Sequence, residues 1–402
     1  LPRILYIGFL AFLAFAVVAV AVGCGGGSSA STIQRLADDD NDAVDDDNNT
    51  VDDDNDIVDD DNDTVNDDDA SPFWSPMDVS NPSGPAMLSG VWGASATNVF
   101  AVGYCGGSYF LGIWHYDGIS WSAMTTPEPT GGANLYGVWG SSASNVFAVG
   151  SNTDGANSPP TQPVIWRYDG TSWSAMTNPS EDGGFLLAVW GSSATNVFAV
   201  GFDETANCPM IWRYDGTSWS AMAVPDSTGL AELFGVWGSS ATDVVAVGSV
   251  WDDGTPLPGF LRYDGSSWSA ANFNTTDDFD LYAIWGTSAT DVFAVGNDRT
   301  LLGPALWHYD GASWSTMENS TPGYTILQGV WGSSGSDVFA VGANSSTIME
   351  IWHYDGLSWS AMATDPAGEA VPLSGVWGSS ATDVFAVGTP ATGSASVWHY
   401  GG

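Results

Sequence analysis

The sequence predicts an all-β protein: a seven-bladed β-propeller of four-stranded antiparallel blades, its ring closed by an outer strand from the N-terminal side. Three observations lead there. A phrase of the type "GVWGSSATDVFAVG" recurs with its tryptophan at Trp92, Trp139, Trp190, Trp237, Trp285, Trp331 and Trp377, at intervals of 46 to 51 residues, a period typical of arrays and propellers. A second phrase, as in "WHYDGLSWSAM", follows each copy but the last, which runs only to "VWHYGG" at Val397 to Gly402. Ahead of the first copy stands "FWSPM", Phe73 to Met77, a match for the "SWSAM" that the last copy lacks. Trp74 is therefore expected in a strand antiparallel to the one holding Trp398, so that both ends of the repeat region share one blade and leave no free edge.

Upstream of the repeats, Ile4 to Val22 form an apolar run behind Arg3, followed by "AVGCGGG". This layout predicts a secretory signal over 1–24. Ala21, Val22 and Gly23 before Cys24 resemble a bacterial lipobox and make Cys24 the expected lipidation site. The alternative is an uncleaved transmembrane anchor, since the run nearly spans a bilayer. Both readings export the chain, and the expected location is the bacterial outer membrane or cell surface, held by a lipid anchor. Residues 25–70 read as a disordered, Asp-rich linker. Its seven-residue period offers one valine per repeat (Val44, Val51, Val58, Val65), too little burial to offset chain entropy, and its aspartates repel one another. Weak Ca2+ association is the only cofactor chemistry this stretch suggests, because the turn glycine and closing glutamate of a calcium loop are missing.

Charge narrows the partners. The chain has 47 acidic residues, six arginines and no lysine, for a formal net charge of -41. Nucleic acid as a ligand is excluded, because its recognition rests on a basic surface. The abundance of aromatics, 21 tryptophans among them, supplies an apolar core despite that charge.

Within residues 71–402 each repeat divides into four strands, illustrated by "LYGVWG", "NVFAVG", "VIWRYDG" and "TSWSAM". All are aromatic or β-branched runs bounded by turn residues. The first carries Gly or Ala just before the apolar-Trp step (Gly90, Gly137, Ala188, Gly235, Ala283, Gly329, Gly375), as an innermost strand needs where seven sheets crowd one axis. The second is apolar at nearly every position (Val99, Phe100, Ala101, Val102), which places both its faces in the core. The Asp-Gly after each tyrosine signals a hairpin between strands three and four. Of the tryptophans only Trp251 falls outside the pattern, and only the fourth repeat lacks its strand-three tryptophan, with Leu261 there. Trp251 either packs into that gap or serves as a stacking surface for a ligand.

The phrase "VWGSSATDVFAVG…WHYDGLSWSAM" resembles propeller repeats of secreted bacterial lipoproteins, over residues 72–402. The tyrosine-to-tryptophan hairpin is similar to kelch repeats, and "YDGTSW" to the Asp-box of sialidases. The tandem glycines of kelch second strands are missing, and the Asp-to-Trp spacing is one residue short of the Asp-box. The resemblance implies architecture and carries no enzymatic activity with it.

Catalytic chemistry finds little support. His115, His308, His353 and His399 share one repeat position with Arg167, Arg213 and Arg262, one per blade, as structural residues do and ligands of a single metal do not. Cys105 and Cys208 fall in different blades and are not expected to bridge. Carboxylate pairs in the loops (Glu181 with Asp182, Asp203 with Glu204, Asp252 with Asp253, Asp277 and Asp278 with Asp280) keep a glycan-active enzyme as the alternative function.

Connections one-to-two and three-to-four are short and nearly uniform, whereas two-to-three and four-to-one vary, as in "YCGGSYFLG", "FDETANCPM" and "SVWDDGTPLPG". In an up-and-down blade the two variable connections share one face, and function belongs there. Trp251, Asp252, Asp253, Tyr104, Tyr109, Phe202 and Tyr324 are the candidate ligand-binding residues, as aromatics and carboxylates exposed on that face. The expected function is non-catalytic: a monomeric, surface-anchored binding or adhesion module for a glycan, peptide or protein ligand.

Overall fold

A computed structural model describes residues 73–79 and 86–401, apart from loop segments 106–109, 128–131, 154–160, 180–182, 226–229, 251–259, 272–277, 319–322, 365–370 and 390–396. The signal, Cys24 and the acidic linker lie outside the described residues. Pro72–Gly402 form one compact unit.

Seven four-stranded antiparallel sheets make up this unit, and no helix occurs among the described residues. In blades one to six the strands run in chain order from the axis to the rim, over residues 86–123, 132–175, 184–221, 230–271, 279–316 and 325–361. Blade seven takes three strands from 373–401 and its outer strand from Phe73–Met77. That strand pairs antiparallel with Val397–Gly401, setting Trp74 opposite Tyr400 and Pro76 opposite Trp398. The anticipated closure is present.

Small residues let the inner strands meet. A Cβ added at Gly90 would lie 2.8 Å from the Tyr136 carbonyl oxygen and 3.5 Å from the Gly137 Cα of the next blade. The same approach joins Gly137 to Ala188, Gly235 to Ala283, Gly329 to Gly375, and Gly375 back to Gly90. In every blade the inner pair carries at least two register shifts, in blade one between Leu88 and Gly90 and between Gly93 and Ser95, and blade four adds a third between Leu230 and Glu232. Such bulges bend and twist a strand.

The second strands are buried on both faces, as their apolar runs predict: Val99, Phe100, Ala101 and Val102 have at most 1% exposure. The phenylalanine in this strand is the joint between blades. Phe100, Phe147, Phe198, Phe293, Phe339 and Phe385 each lie 5.5 to 5.8 Å, ring to ring, from the strand-three tyrosine of the following blade. Five of them also meet that blade's outer-strand tryptophan edge to face, the arrangement favoured by ring quadrupoles. At the rim the tryptophan indole N–H donates to the methionine sulfur of the preceding blade: Trp173 to Met124, Trp219 to Met176, Trp268 to Met222, Trp359 to Met317, and Trp74 to Met362.

The Asp-Gly hairpins are wider than two residues. Four residues separate the paired tyrosine and tryptophan, as in Tyr116 and Trp121. Asp117 Oδ1 accepts the N–H groups of Ile119 and Ser120, and Gly118 takes φ +94. The aspartate thus folds the loop, and glycine supplies the left-handed backbone.

Trp74 is fully buried against Phe339 and Tyr400. Trp74→Ala should cost about 3–5 kcal/mol, measured by chemical denaturation. Deleting residues 73–77 should open the ring and lower the melting temperature much further; an unchanged melt would refute the closure.

Candidate functional site

The two faces of the disc differ in chemistry. On the face of short turns, the first residue of the second strand meets the strand-three Arg or His in six of the seven blades. Arg167 and Arg213 donate to Asn145 and Asn196, and Arg262 pairs with Asp243. His308, His353 and His399 meet Asp291, Asp337 and Asp383 at 2.7 to 2.8 Å. Blade one has Asn98 at this position, its Oδ1 buried without a partner, and burial holds the nearby His115 below its usual pKa.

Ser333 and Ser379 also donate to Asp337 and Asp383. The carboxylate therefore sits between hydroxyl and imidazole, and no hydrogen bond links the histidine to the serine. A base must reach the nucleophile to activate it, and this order differs from that arrangement; the contacts the trios make brace the turns.

The other face holds a layer whose character changes from blade to blade. Where the inner strand begins and the second strand ends, blades one, three and six pair apolar residues: Met87 with Tyr104, Phe185 with Phe202, Ile326 with Ala343. Blades two, four and five pair polar ones: Asn134 with Ser151, Glu232 with Ser249, Asp280 with Asn297. Ser151, Glu232, Ser249, Asp280 and Asn297 are all buried. Asn152 Oδ1, Ser249 Oγ and Asn297 Oδ1 are buried with no hydrogen-bond partner. Buried polar atoms are rarely left so without a water or ligand to meet them.

Charge concentrates in the same layer. Arg299, in the turn after the second strand of blade five, donates to Asp280 at 2.6 Å and pairs with Asp278 at 3.3 Å. Arg299 N–H also donates to the Asp278 carbonyl and Asp278 N–H to Thr300, which ties the two variable connections of that blade together. Glu204 accepts the backbone and side-chain donors of Thr161. Burial, then the negative charges of Asp280 and Glu204, push Glu232 up from 4.5 to about 7. Burial outweighs the Arg299 guanidinium at Asp280 and raises it from 3.8 to about 6. Tyr136, raised chiefly by burial, and Tyr282, whose hydroxyl lies 3.5 Å from Asp280, flank the cluster, and Phe234 meets the Tyr282 ring at 5.1 Å. Carboxylates this perturbed, beside named charges, make this layer the candidate functional site.

The residues singled out in the sequence fare unevenly. Trp251, Asp252, Asp253, Tyr109, Glu181, Asp182 and Asp277 lie outside the described residues. Tyr324 is exposed, as expected of a stacking residue. Phe202 is not exposed: the second strand runs on through it, and it packs on Phe185 at 8% exposure. Tyr104 turns its hydroxyl into the protein, where burial pushes it up to about 12. Asp203 caps its own turn by accepting the N–H groups of Thr205 and Ala206. Asp280 joins the cluster, whereas Glu232 was not anticipated. Its signal is a charge, as at Asp280, in a repeat slot held by Met, Phe or Ile in three other copies. Among the described residues no group of three or more His, Cys, Asp or Glu side chains is arranged to hold a metal ion.

Fold and site together define a seven-bladed β-propeller with a charged, partly protonated layer on its variable face. No family model and no curated protein matches the chain. Solved structures match in fold. YCF48 bound to D1 peptide shares 14% identity at a TM-score of 0.58, over 82% of this chain and 97% of that one. YCF48 from Cyanidioschyzon merolae shares 14% at 0.55, over 82% and 99%. The WD40 propeller domain of Doa1 shares 11% at 0.56, over 81% and 96%.

Both raised carboxylates hold their protons more tightly in the folded state than in the unfolded chain. Stability therefore falls as pH rises through the interval between the two values, 4.5 to about 7 for Glu232 and 3.8 to about 6 for Asp280. For Glu232 the loss is on the order of 3 kcal/mol. Glu232→Gln should raise the melting temperature at pH 8, leave it nearly unchanged at pH 4, and flatten the profile between them.

Proposed function

We propose that this propeller is a non-catalytic binding module, exported and anchored through Cys24, which takes its ligand on the face of variable loops. The observation that carries the reading is the buried carboxyl pair of Glu232 and Asp280, with exposed Glu204 close enough to act on Glu232 and unpartnered polar atoms of Ser249 and Asn297 in the same layer. A layer charged in blades three to five and lined by Tyr136, Phe234 and Tyr282 suits a peptide or protein segment carrying Lys or Arg. The cation would replace the proton on Glu232, and an aromatic ring would offer its face to the stem. The structural likeness to a YCF48 bound to a peptide supports this ligand class. Glycans remain a ligand class of the same face, since amides, carboxylates and aromatics also suit sugar hydroxyls. The resemblance of the repeats to those of secreted lipoproteins supports display at the cell surface.

One observation favours an enzyme as the second reading. A carboxyl protonated near neutrality in the field of another carboxylate is the arrangement of a glycosidase acid and its partner.

The test exposes the full-length chain to a cationic peptide library and a glycan array at pH 7.5. Binding of Lys- or Arg-bearing peptides, weakened about 10-fold or more by Asp280→Asn or Glu232→Ala and by raised salt, is the expected outcome. Two blank arrays would remove the binding reading. Release of reducing sugar from a glycan panel, lost in Glu232→Gln, would replace it with the enzyme.

A further inference from the structure

Between blades four and five lies a cavity of about 210 Å³, lined by Trp237, Val245, Phe260, Arg262, Tyr309 and Trp314 among others. It arises from a break in the repeat. The second strand of six blades carries a phenylalanine, but blade four reads "DVVAVG", with Val245 in that slot. Register confirms the equivalence: Val245 is opposite Trp237 and Arg262, as Phe198 is opposite Trp190 and Arg213.

The other blades show what this space is shaped to hold. Their phenylalanine stacks on the inner-strand tryptophan of its own blade at 6.2 to 6.5 Å in five copies. It lies under the strand-three Arg, with 5.6 Å from guanidinium to ring at Phe147 and Phe198. It faces the tyrosine and tryptophan of the next blade. Trp237, Arg262, Tyr309 and Trp314 are those same four walls around a space from which the ring is missing.

A neighbouring pair of changes does not fill it. In blade four Phe260 replaces the isoleucine and Ala271 the methionine of other copies, and the Phe260 ring leans on Trp314 at 5.7 Å. This exchange compensates itself at the other end of the interface. At Val245 nothing compensates: it keeps 8% exposure where the six phenylalanines have 0–1%, and Trp314 is part-exposed where its six counterparts are buried.

The walls also decide the chemistry of the occupant. Arg262 is neutralised by Asp243 at 2.8 Å, and the Tyr309 hydroxyl donates to the Gly311 carbonyl. The charge and the phenol are thus already matched, and the remaining walls are apolar except for Ser313. A mostly apolar recess favours a benzene-like guest, because seating one removes apolar surface from water.

We propose that the blade four–five interface is a binding site for one neutral, six-membered aromatic ring, seated where the phenylalanine lies in the other blades. It is separate from the acidic layer and does not rest on the function proposed for that layer. The ring could belong to a free small aromatic or to a phenylalanine side chain presented by a peptide; the chemistry is shared, and two probes separate them.

Toluene and N-acetylphenylalaninamide are each added to the full-length chain and followed by saturation-transfer NMR and thermal melts. In the unmodified chain toluene should give saturation transfer and raise the melting temperature. Val245→Phe should abolish both effects by restoring the resident ring, and Val245→Leu should reduce them, which keeps the test decisive if the phenylalanine variant folds poorly. Equal response to the amide assigns the site to a peptide side chain, and response to toluene alone to a free aromatic. No response to either probe, or the same response in wild type and both variants, would overturn the proposal.

Discussion

The phenylalanine in six of the seven second strands, inserted between two blades, is the contact on which the rest of the structure depends. A four-stranded sheet has two apolar faces here and no core of its own. Phe147, for example, lies in one cluster with Val149, Ile165, Leu186, Trp212 and Trp219, residues of two different blades. Every core in the protein is shared in this way. Stability therefore belongs to interfaces, as in other repeat proteins, and an open ring would leave two apolar faces in water. Closure through Trp74 follows from the same requirement, since Phe339 of blade six meets Trp74 and Tyr400 of blade seven.

This economy frees one face of the disc. The short turns are held by interactions that each blade makes for itself: aspartate caps in the Asp-Gly loops, and Arg or His against Asn or Asp at the head of the second strand. Arginine faces Asn145 and Asn196 in two blades and Asp243 in a third, and histidine faces Asp291, Asp337 and Asp383. The opposite face bears no such duty. Its first layer is apolar in some blades and polar in others, and only there do buried carboxylates occur without disturbing the joints beneath.

Almost all of the fold was legible in the sequence because seven near-copies report the same strand pattern independently. The closing strand was legible because one copy lacked what another segment had in surplus. The site was less so. Phe202 stands in "FDETANCPM", which reads as loop, yet the second strand continues through it and buries the ring. Glu232 sits in "LAELFGVWG" as an ordinary acidic residue of a very acidic chain. Its burial arises from neighbouring blades, and its charge state from Asp280 and Glu204, distant in sequence. Such effects have no local signature. Only departure from the repeat at a fixed slot betrays them, and the same holds for Val245.

The closing strand also fixes where the molecule meets mechanical load. Every other strand of the ring is joined to its sheet neighbour by the chain itself, whereas Phe73–Met77 is held to blade seven by five paired residues and its side-chain packing. The chain upstream of Phe73 leads directly into this strand. Tension applied to that upstream segment is therefore delivered to the single seam that no covalent link protects. The buried indole of Trp74 is thus part of what resists such a pull at this seam.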